Sequence, residues 1–186
     1  MALINLSDFE KGPRILPIKE FSDKRGSFSM LYQISELRRI FPHLPDLQQL
    51  NSIRAQENSL RGFHGALEIE NHWKVVFCAS GEIIEAFLDI RPDSKTFGFV
   101  GRLQVSASKP ELIVIPPGFA HAFQSISQET ISIYATNVEY ANQSELDIQV
   151  IHKNWNNLWR DNAILSERDS QALTLDQLKV AGKFEL

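Results

Sequence analysis

The sequence predicts a mainly β protein, folded as a sheet sandwich or a barrel. Short runs of β-branched and aromatic residues recur between positions 14 and 150, separated by Gly, Pro, Asn or Ser, which is the pattern of antiparallel sheets that pair or close. The chain has 186 residues, of which 43% are hydrophobic, so it can bury one substantial core but is short for two domains. We expect one domain over residues 1–186.

Six segments combine strand-forming residues with a length typical of strands. They are residues 75–79, 82–90, 97–105, 111–115, 119–126 and 130–137. Ser80-Gly81 separates the first two segments at hairpin spacing, Arg91-Pro92-Asp93 ends the second, and Pro116-Pro117-Gly118 follows the fourth. These turn signals predict antiparallel connections.

Two short helices are predicted at the periphery of the sheets. The first spans residues 34–41 and ends before Pro42, which cannot continue a helix. The second spans residues 174–180, where Thr174 and Gln177 have the spacing of a capping box.

Composition and charge exclude several classes of protein. A net charge of -4 and a pI near 5.7 disfavour general nucleic-acid binding, and no apolar run is long enough to cross a bilayer. Residues 1–10 lack the basic and apolar segments of a secretory signal, so we expect a cytoplasmic protein with no membrane partner. Cys78 is the single cysteine and follows three apolar residues, which predicts a buried, inert thiol and excludes an internal disulfide.

Arg61 and His64 stand in an unusual segment, Leu60-Arg61-Gly62-Phe63-His64-Gly65. In a regular strand, alternation would place Arg61 and His64 on opposite faces of the sheet. If both serve one cavity, the strand must contain a bulge, and Gly62 is the residue that would permit it. The alternative is that His64 is a hydrogen-bonded histidine of the core.

Three other polar residues lie in or beside apolar strand candidates, and alternation leaves the role of each open. Tyr134 shares one face with Ser132 and Thr136, and that face either meets solvent or lines a wet cavity. Lys74 opens an apolar strand and either enters a pocket or marks the exposed end. Glu85 either points outward or, if it is buried, needs a partner.

Several catalytic chemistries have no support in the sequence. No second ligand follows His64 at the two-residue interval of a strand, and His72 and His121 stand apart, so we do not expect a metal site. Cys78 lies in apolar sequence and no Ser stands in a Gly-x-Ser-x-Gly turn, which argues against nucleophilic hydrolysis. No glycine pattern for nucleotide phosphates or dinucleotides is present.

A series of motifs runs through most of the chain. They are Asp23-Lys24-Arg25-Gly26-Ser27-Phe28, Leu60-Arg61-Gly62-Phe63-His64, Gly81-Glu82, Asp89-Ile90-Arg91, Ile115-Pro116-Pro117-Gly118-Phe119-Ala120-His121-Ala122-Phe123, Tyr134 with Thr136, Glu139-Tyr140, Glu145 and Ile164-Leu165-Ser166-Glu167-Arg168-Asp169. In this order and at close to this spacing, they resemble the dTDP-4-dehydrorhamnose 3,5-epimerase family. The Arg-Gly-x-His and Pro-Gly-Phe-Ala-His motifs together make the resemblance specific.

The resemblance implies a double-stranded β-helix of the cupin type, a homodimer, and catalysis without a metal or other cofactor. It implies epimerisation of a nucleotide-linked 4-keto sugar beside the ketone, at one or two carbons. By position, His64 would remove the proton, Asp169 would orient that imidazole, Tyr134 would return a proton to the opposite face, and Lys74 would stabilise the enolate oxygen.

The resemblance also implies which residues bind the nucleotide and its diphosphate. These are Arg61, Gln49, Asn51, His121 and Arg168, with Tyr140 as the aromatic that stacks on the base and Glu145 at a further binding position. Arg25 and Phe28 would complete the site of the partner subunit.

The sequence departs from the family pattern at positions that bear on the substrate. Met30 replaces the usual Glu and Glu85 replaces the usual Asp. Gly65-Ala66 replaces the usual Tyr-Gln after the histidine, which removes bulk beside the sugar site that the resemblance implies. Because a thioether lacks the hydrogen-bonding capacity of a carboxylate, the base of the nucleotide stays open, and a GDP- or CDP-linked sugar is an alternative. A non-catalytic sugar-nucleotide binding module and a 3,4-ketoisomerase are the other hypotheses.

Overall fold

The computed structural model describes residues 3–66, 71–140, 145–152, 155 and 157–184. Its strands are β1 (Leu3–Ile4), β2 (Arg14–Pro17), β3 (Lys19–Asp23), β4 (Gly26–Met30), β5 (Gln49–Gln56), β6 (Leu60–Ala66), β7 (Lys74–Ser80), β8 (Glu82–Asp89), β9 (Val100–Ser106), β10 (Glu111–Ile115), β11 (Phe119–Ser125), β12 (Glu129–Thr136) and β13 (Glu145–Asp147). Its helices are α1 (Ile34–Ile40), α2 (Glu167–Ser170), α3 (Leu175–Val180) and a 3₁₀ turn at Leu6–Asp8.

Two sheets form the body of the protein. One has the strand order β1-β9-β8-β11-β6-β13 and the other the order β2-β10-β7-β12-β5. Phe87 and Phe123 of the first sheet share a core cluster with Val76 and Ile113 of the second, so the sheets enclose this core like the two halves of a barrel. The predicted mainly β, cupin-type fold is confirmed.

The helices pack on the outer faces of the two sheets. Leu37 of α1 joins Leu112 of β10 in one cluster, and Leu175 and Leu178 of α3 join Leu88 of β8 in another. The predicted capping box is present, because Gln177 N donates to Thr174 Oγ1 and Thr174 N donates to the Gln177 side chain. Both predicted helices therefore lie at the periphery, as expected.

Two of the three predicted turns join the expected strands, but those strands are not paired with each other as antiparallel neighbours. Ser80-Gly81 joins β7 to β8, and Pro116-Pro117-Gly118 joins β10 to β11, but in each case the two strands belong to opposite sheets. Neither turn closes a hairpin, because the strands that follow cross the barrel. Arg91-Pro92-Asp93 does lie between antiparallel neighbours, β8 and β9, although β9 begins only at Val100, after a turn in which Gly98 has a φ of 77°.

The β3–β4 hairpin stands apart from both sheets. It forms a two-stranded sheet of its own, and most of its residues are exposed. Phe21 and Phe28 stack on each other with 6.4 Å between ring centroids, and both rings remain more than half exposed.

Within the described ranges, no helix is both long enough and apolar enough to cross a membrane.

Candidate active site

A bulge in β6 places Arg61 and His64 on the same face of the first sheet. His64 pairs with His121 and Arg61 pairs with Phe123, so two residues of β6 oppose a single residue of β11 between these pairs. Gly62 lies at the extra position with a φ of 108°, in the left-handed region that favours glycine. The bulge predicted from the sequence is therefore present, and it puts both side chains on one face, where His64 is partly buried and Arg61 is exposed.

His64 and Asp169 form a short hydrogen bond on this face. His64 Nε2 lies 2.7 Å from Asp169 Oδ1, and the Asp169 side chain is buried. Burial acts to raise the pKa of Asp169, but the hydrogen bond and the charge of His64, with the hydroxyl of Ser166, outweigh it and lower that pKa. Because an ionised carboxylate only accepts, Nε2 carries the proton of the neutral ring and Nδ1 presents a lone pair.

Lys74 enters the barrel from the first position of β7. Its side chain is buried, and Nζ donates to the backbone oxygen of His64 at 3.4 Å. Burial lowers the pKa of Lys74 to about 8, although the charges of Glu145 and Glu85 oppose the shift. Of the two alternatives that the sequence left open for Lys74, the pocket is correct, because the ammonium lies inside the protein beside His64 and not at an exposed strand end.

His121 and Glu85 form a second buried pair. His121 Nδ1 lies 2.7 Å from Glu85 Oε1, and Glu85 is completely buried, so its side chain faces inward with the partner that burial requires. Burial raises the pKa of Glu85 well above its ordinary value and lowers the pKa of His121 well below its own. In the uncharged form of the pair, which both shifts favour, Glu85 donates to Nδ1 of His121 and the ring N–H lies at Nε2, directed away from Glu85.

The polar face of β12 lines a cavity and does not meet bulk solvent. Ser132 and Thr136 are buried, and Tyr134 is half-buried, a position that raises the pKa of its hydroxyl mainly through desolvation. The charge of Arg61 opposes this rise. The described residues around the cavity are Gln49, Ala66, Asn71, His72, Lys74, Tyr134, Thr136, Val138, Glu139, Tyr140 and Glu145.

Gln49 and Asn51 project from β5 beside Tyr134. Asn51 pairs directly with Tyr134 across the two strands, and the amide of Gln49 donates to Asn51 Oδ1 at 2.8 Å. The other end of the Gln49 amide accepts from the backbone N–H of Tyr140. The buried Asn51 Nδ2 has no partner among the described residues, so this donor is unsatisfied beside Tyr134.

Arg168 lies between two carboxylates of β13. Its Nε and Nη2 donate to both oxygens of Asp147, at 2.6 and 2.7 Å, and Nη2 also donates to Glu145. This fork geometry is typical of a strong arginine–carboxylate pair. The predicted binding residues Arg168 and Glu145 are therefore in contact with each other.

Two predicted site residues lie elsewhere in this chain. Arg25 and Phe28 belong to the exposed β3–β4 hairpin, where Arg25 pairs with Asp23, and neither lines the cavity. Met30, the departure that bears on the nucleotide, ends the same hairpin.

The expectation that Gly65 and Ala66 both border the sugar site is wrong for Gly65. A Cβ at Gly65 would meet Ala120 and Ile90 at 3.1 Å, which are residues of the outer core cluster. Alternation places only Ala66 at the cavity. Glycine at position 65 therefore allows close packing against the outer core, and of these two positions only the small side chain of Ala66 enlarges the cavity.

Sequence reasoning missed two residues of the site. His72 lines the cavity, and burial together with the charge of Lys74 lowers its pKa to about 4. Asp147 lies opposite His64. Asp147 lies two residues from Glu145 in β13, so strand alternation could have placed it on the same face. His72 precedes β7, and only its closeness to Lys74 in the chain could have suggested it.

No three His, Cys, Asp or Glu side chains of the described ranges are grouped so that they could hold a metal ion. Cys78 is buried beside the barrel core, and burial raises the pKa of its thiol to about 11, in agreement with the predicted inert cysteine.

Comparison with known proteins identifies the family. Residues 11–177 match the profile described as dTDP-4-dehydrorhamnose 3,5-epimerase. The chain belongs to this epimerase family. It is 32% identical over 174 residues to the dTDP-4-dehydrorhamnose 3,5-epimerase of Salmonella typhimurium, covering 88% of this chain and 90% of that protein.

Solved structures agree with this membership. The dTDP-6-deoxy-D-glucose-3,5-epimerase of Legionella pneumophila, solved in complex with dTDP-4-keto-L-rhamnose, superposes with a TM-score of 0.84 at 27% identity, over 91% of this chain and 90% of that one. NovW, a 4-keto-6-deoxy sugar epimerase of Streptomyces spheroides, superposes with a TM-score of 0.88 at 22% identity, over 94% of this chain and 88% of that one. At that identity the NovW match shows the shared fold.

The chain therefore places an imidazole next to a buried ammonium, and this ammonium and a phenol on the adjoining strand line one cavity. His64 supplies a lone pair held in place by Asp169, Lys74 supplies a positive charge, and Tyr134 supplies an O–H group. Such a set can remove a weakly acidic proton, stabilise the oxyanion that results, and return a proton from another direction.

Proposed function

We propose that the protein epimerises a nucleotide-linked 4-keto-6-deoxy sugar at C3, at C5 or at both, in the manner of dTDP-4-dehydrorhamnose 3,5-epimerase. The observation that carries this proposal is the contact of buried Lys74 with the backbone of His64, while Asp169 holds the imidazole of the same residue. Membership of the epimerase family supports the same reaction class.

In the proposed reaction, Nδ1 of His64 takes the proton from the carbon beside the ketone. The electrons of the broken C–H bond move into the carbonyl, which becomes an enolate, and the imidazole becomes an imidazolium balanced by Asp169. Lys74 faces the developing oxyanion, where a buried cation acts more strongly than it would in water. The hydroxyl of Tyr134 then returns a proton to the opposite face of the same carbon, and this inverts the centre.

The nucleotide and diphosphate are proposed to lie toward the rim of the cavity. The N–H of His121, the amides of Gln49 and Asn51, and the charges of Arg61 and Arg168 offer donors to phosphate or base oxygens. Tyr140, which is more than half exposed, is the proposed stacking partner of the base. Glu145 would accept hydrogen bonds from the sugar or ribose hydroxyls.

A homodimer is part of the proposal, because the exposed hairpin is poorly explained in a single chain. Phe21 and Phe28 present a stacked apolar surface on a two-stranded sheet, and an isolated two-stranded sheet is marginally stable in water. We propose that the hairpin packs on a second copy and carries Arg25 and Phe28 to the nucleotide site of that copy. The single-domain organisation and the cytoplasmic location stay predictions from the sequence.

The test begins with the binding of dTDP, GDP and CDP, followed by proton NMR in heavy water with a 4-keto-6-deoxy sugar carrying the preferred nucleotide. Wild type is expected to exchange the protons beside the ketone. His64→Asn should slow exchange by about 100-fold to 10,000-fold while nucleotide affinity is kept. Tyr134→Phe should retain exchange but lose inversion, because only the second proton transfer is removed.

The control is His43→Asn, since His43 is exposed in a turn after α1 and its replacement should change neither quantity. If the protein binds a nucleotide firmly but exchanges no carbon-bound protons of any sugar tested, the proposal of an enzyme is overturned and a binding module is favoured. Products with a moved ketone would instead identify a 3,4-ketoisomerase, and a preference for GDP or CDP would change the substrate class.

A further inference from the structure

Asp147 lies beside the base but has no part in the reaction described above. We propose that Asp147 is a positioning residue that screens the imidazole of His64 from the charge of Arg168, so that His64 can carry a proton during turnover. This inference rests on the proposed epimerase function and adds a residue to it.

The sheet register brings Asp147 to the base. β13 pairs antiparallel with β6, and Asp147 stands directly opposite His64, so the two side chains lie on the same face. Asp147 Oδ1 is 3.8 Å from His64 Nε2. The same oxygen accepts a hydrogen bond from Nη2 of Arg168 at 2.7 Å, so one carboxylate oxygen stands between the guanidinium and the imidazole.

The charges around His64 explain why a screen is needed. The groups that face it are Asp169 and Arg168 of α2, Asp147 of β13, Lys74 of β7, His121 of β11 and Arg61 of its own strand. Burial lowers the pKa of His121 well below its ordinary value, so Lys74, Arg168 and the exposed Arg61 are the fixed cations of this group. When His64 takes a proton it becomes a further cation, and without Asp147 only the carboxylate of Asp169 would lie beside it to balance it.

Glu145 cannot replace Asp147 in this role. Glu145 also accepts from Arg168, but it lies opposite Ala66, two residues along β6 from His64. It therefore neutralises the guanidinium from the side of the cavity and not from the side of the base. If Asp147 were removed, Arg168 would stay paired with Glu145, but no carboxylate would lie between its guanidinium and the imidazole of His64.

The partial burial of the pair sets the size of the effect. The side chains of His64 and Asp147 are 27% and 25% exposed, so screening by solvent is incomplete. A unit charge about 4 Å away changes an equilibrium by about 5-fold in water and by about 1,000-fold at an effective dielectric constant of 20. An intermediate loss of about 10-fold to 100-fold is expected when the Asp147 charge is removed.

The experiment is a double-mutant cycle on solvent exchange with the 4-keto-6-deoxy sugar nucleotide. Asp147→Asn keeps the shape of the side chain, and it should lower kcat by about 10-fold to 100-fold with a change in KM of less than about 3-fold. Arg168→Gln removes the opposing cation, so the double variant Asp147→Asn/Arg168→Gln should recover kcat to within about 3-fold of wild type. Arg168→Met gives a second background of similar length if Arg168→Gln does not fold.

Glu111→Gln is the matched control, because it removes a carboxylate from a surface ion pair with Lys109 at 3.1 Å, and kcat should be unchanged. A double variant no more active than Asp147→Asn would show that Asp147 contributes to structure or acts on the substrate itself, and it would overturn the screening role. An unchanged kcat in Asp147→Asn would overturn it as well.

A separate measurement distinguishes failure of this inference from failure of the proposed function. If wild type exchanges no sugar nucleotide, the function is refuted, and the His64 imidazole is then followed by NMR as a function of pH. The screening role predicts that the His64 imidazolium loses its proton at lower pH in Asp147→Asn than in wild type, and that adding Arg168→Gln reverses the change. Identical titrations in wild type and Asp147→Asn would refute it.

Discussion

Replacement of Lys74 by methionine should stabilise the protein while it removes activity. Lys74 is only 8% exposed, and methionine has a similar length without a charge, so the substitution removes the ammonium and largely preserves packing. The loss of the ammonium removes the cation that faces the enolate in the proposed reaction. Exchange should therefore fall while the free energy of unfolding rises.

The magnitude follows from the pKa of Lys74. Burial lowers that pKa from 10.5 to about 8, and one pKa unit corresponds to roughly 1.4 kcal/mol. At neutral pH the charged lysine therefore destabilises the fold by about 3 kcal/mol, and Lys74→Met should regain about 2 to 3 kcal/mol. Because the unfolded chain binds more protons than the folded one between pH 8 and 10.5, the stability of wild type rises with pH across this window. The advantage of the variant should accordingly shrink by about half or more at pH 9.5.

The assay is urea unfolding of wild type and Lys74→Met at pH 7 and at pH 9.5. Lys109→Met provides the control, since the Lys109 side chain is 82% exposed and its replacement should change the free energy of unfolding by less than about 0.5 kcal/mol. Equal stability of Lys74→Met and wild type at pH 7, or an advantage that does not decline with pH, would falsify the reasoning that Lys74 is held as a buried cation.

Two further predictions concern the β6 bulge and the hairpin. Gly62→Ala should destabilise the protein by about 2 to 5 kcal/mol, because the new Cβ would lie 2.5 Å from the backbone oxygen of His121 at a φ of 108°. Gly26→Ala is the control for the backbone cost alone, since φ there is 130° and the space is open. Equal losses of unfolding free energy for the two variants in thermal unfolding would contradict the packing argument. Phe28→Ser should shift the protein toward monomer in analytical ultracentrifugation if the hairpin packs on a second copy, and an unchanged mass would argue against that dimer.

The sequence predicted most of the features that depend on local pattern. The strand over residues 111–115 agrees with β10, and the bulge at Gly62 follows from the demand that Arg61 and His64 share a face. Alternation also separated the two faces of β12 correctly. It could not decide which face was inside, because a polar face that lines a cavity has the same pattern as one that meets solvent.

Features that depend on which strands become neighbours could not be predicted from the sequence. The spacing at Ser80-Gly81 is that of a hairpin, but the chain crosses between sheets there, and the next strand finds its partner elsewhere. The closeness of Asp147 to His64 arises from the pairing of β13 with β6, which no local pattern specifies. The orientation of Gly65 toward the outer core has the same origin.

The pair of His64 and Asp169 has a consequence for how the molecule is assembled. The two residues are separated by 105 positions in the chain, and between them the chain crosses from one sheet to the other several times. Contacts of such high sequence separation form late, after the entropy of closing long loops has been lost. The proposed base is therefore oriented only when the C-terminal segment docks on a completed barrel, so a partly folded molecule with both sheets in place would still hold an unoriented histidine.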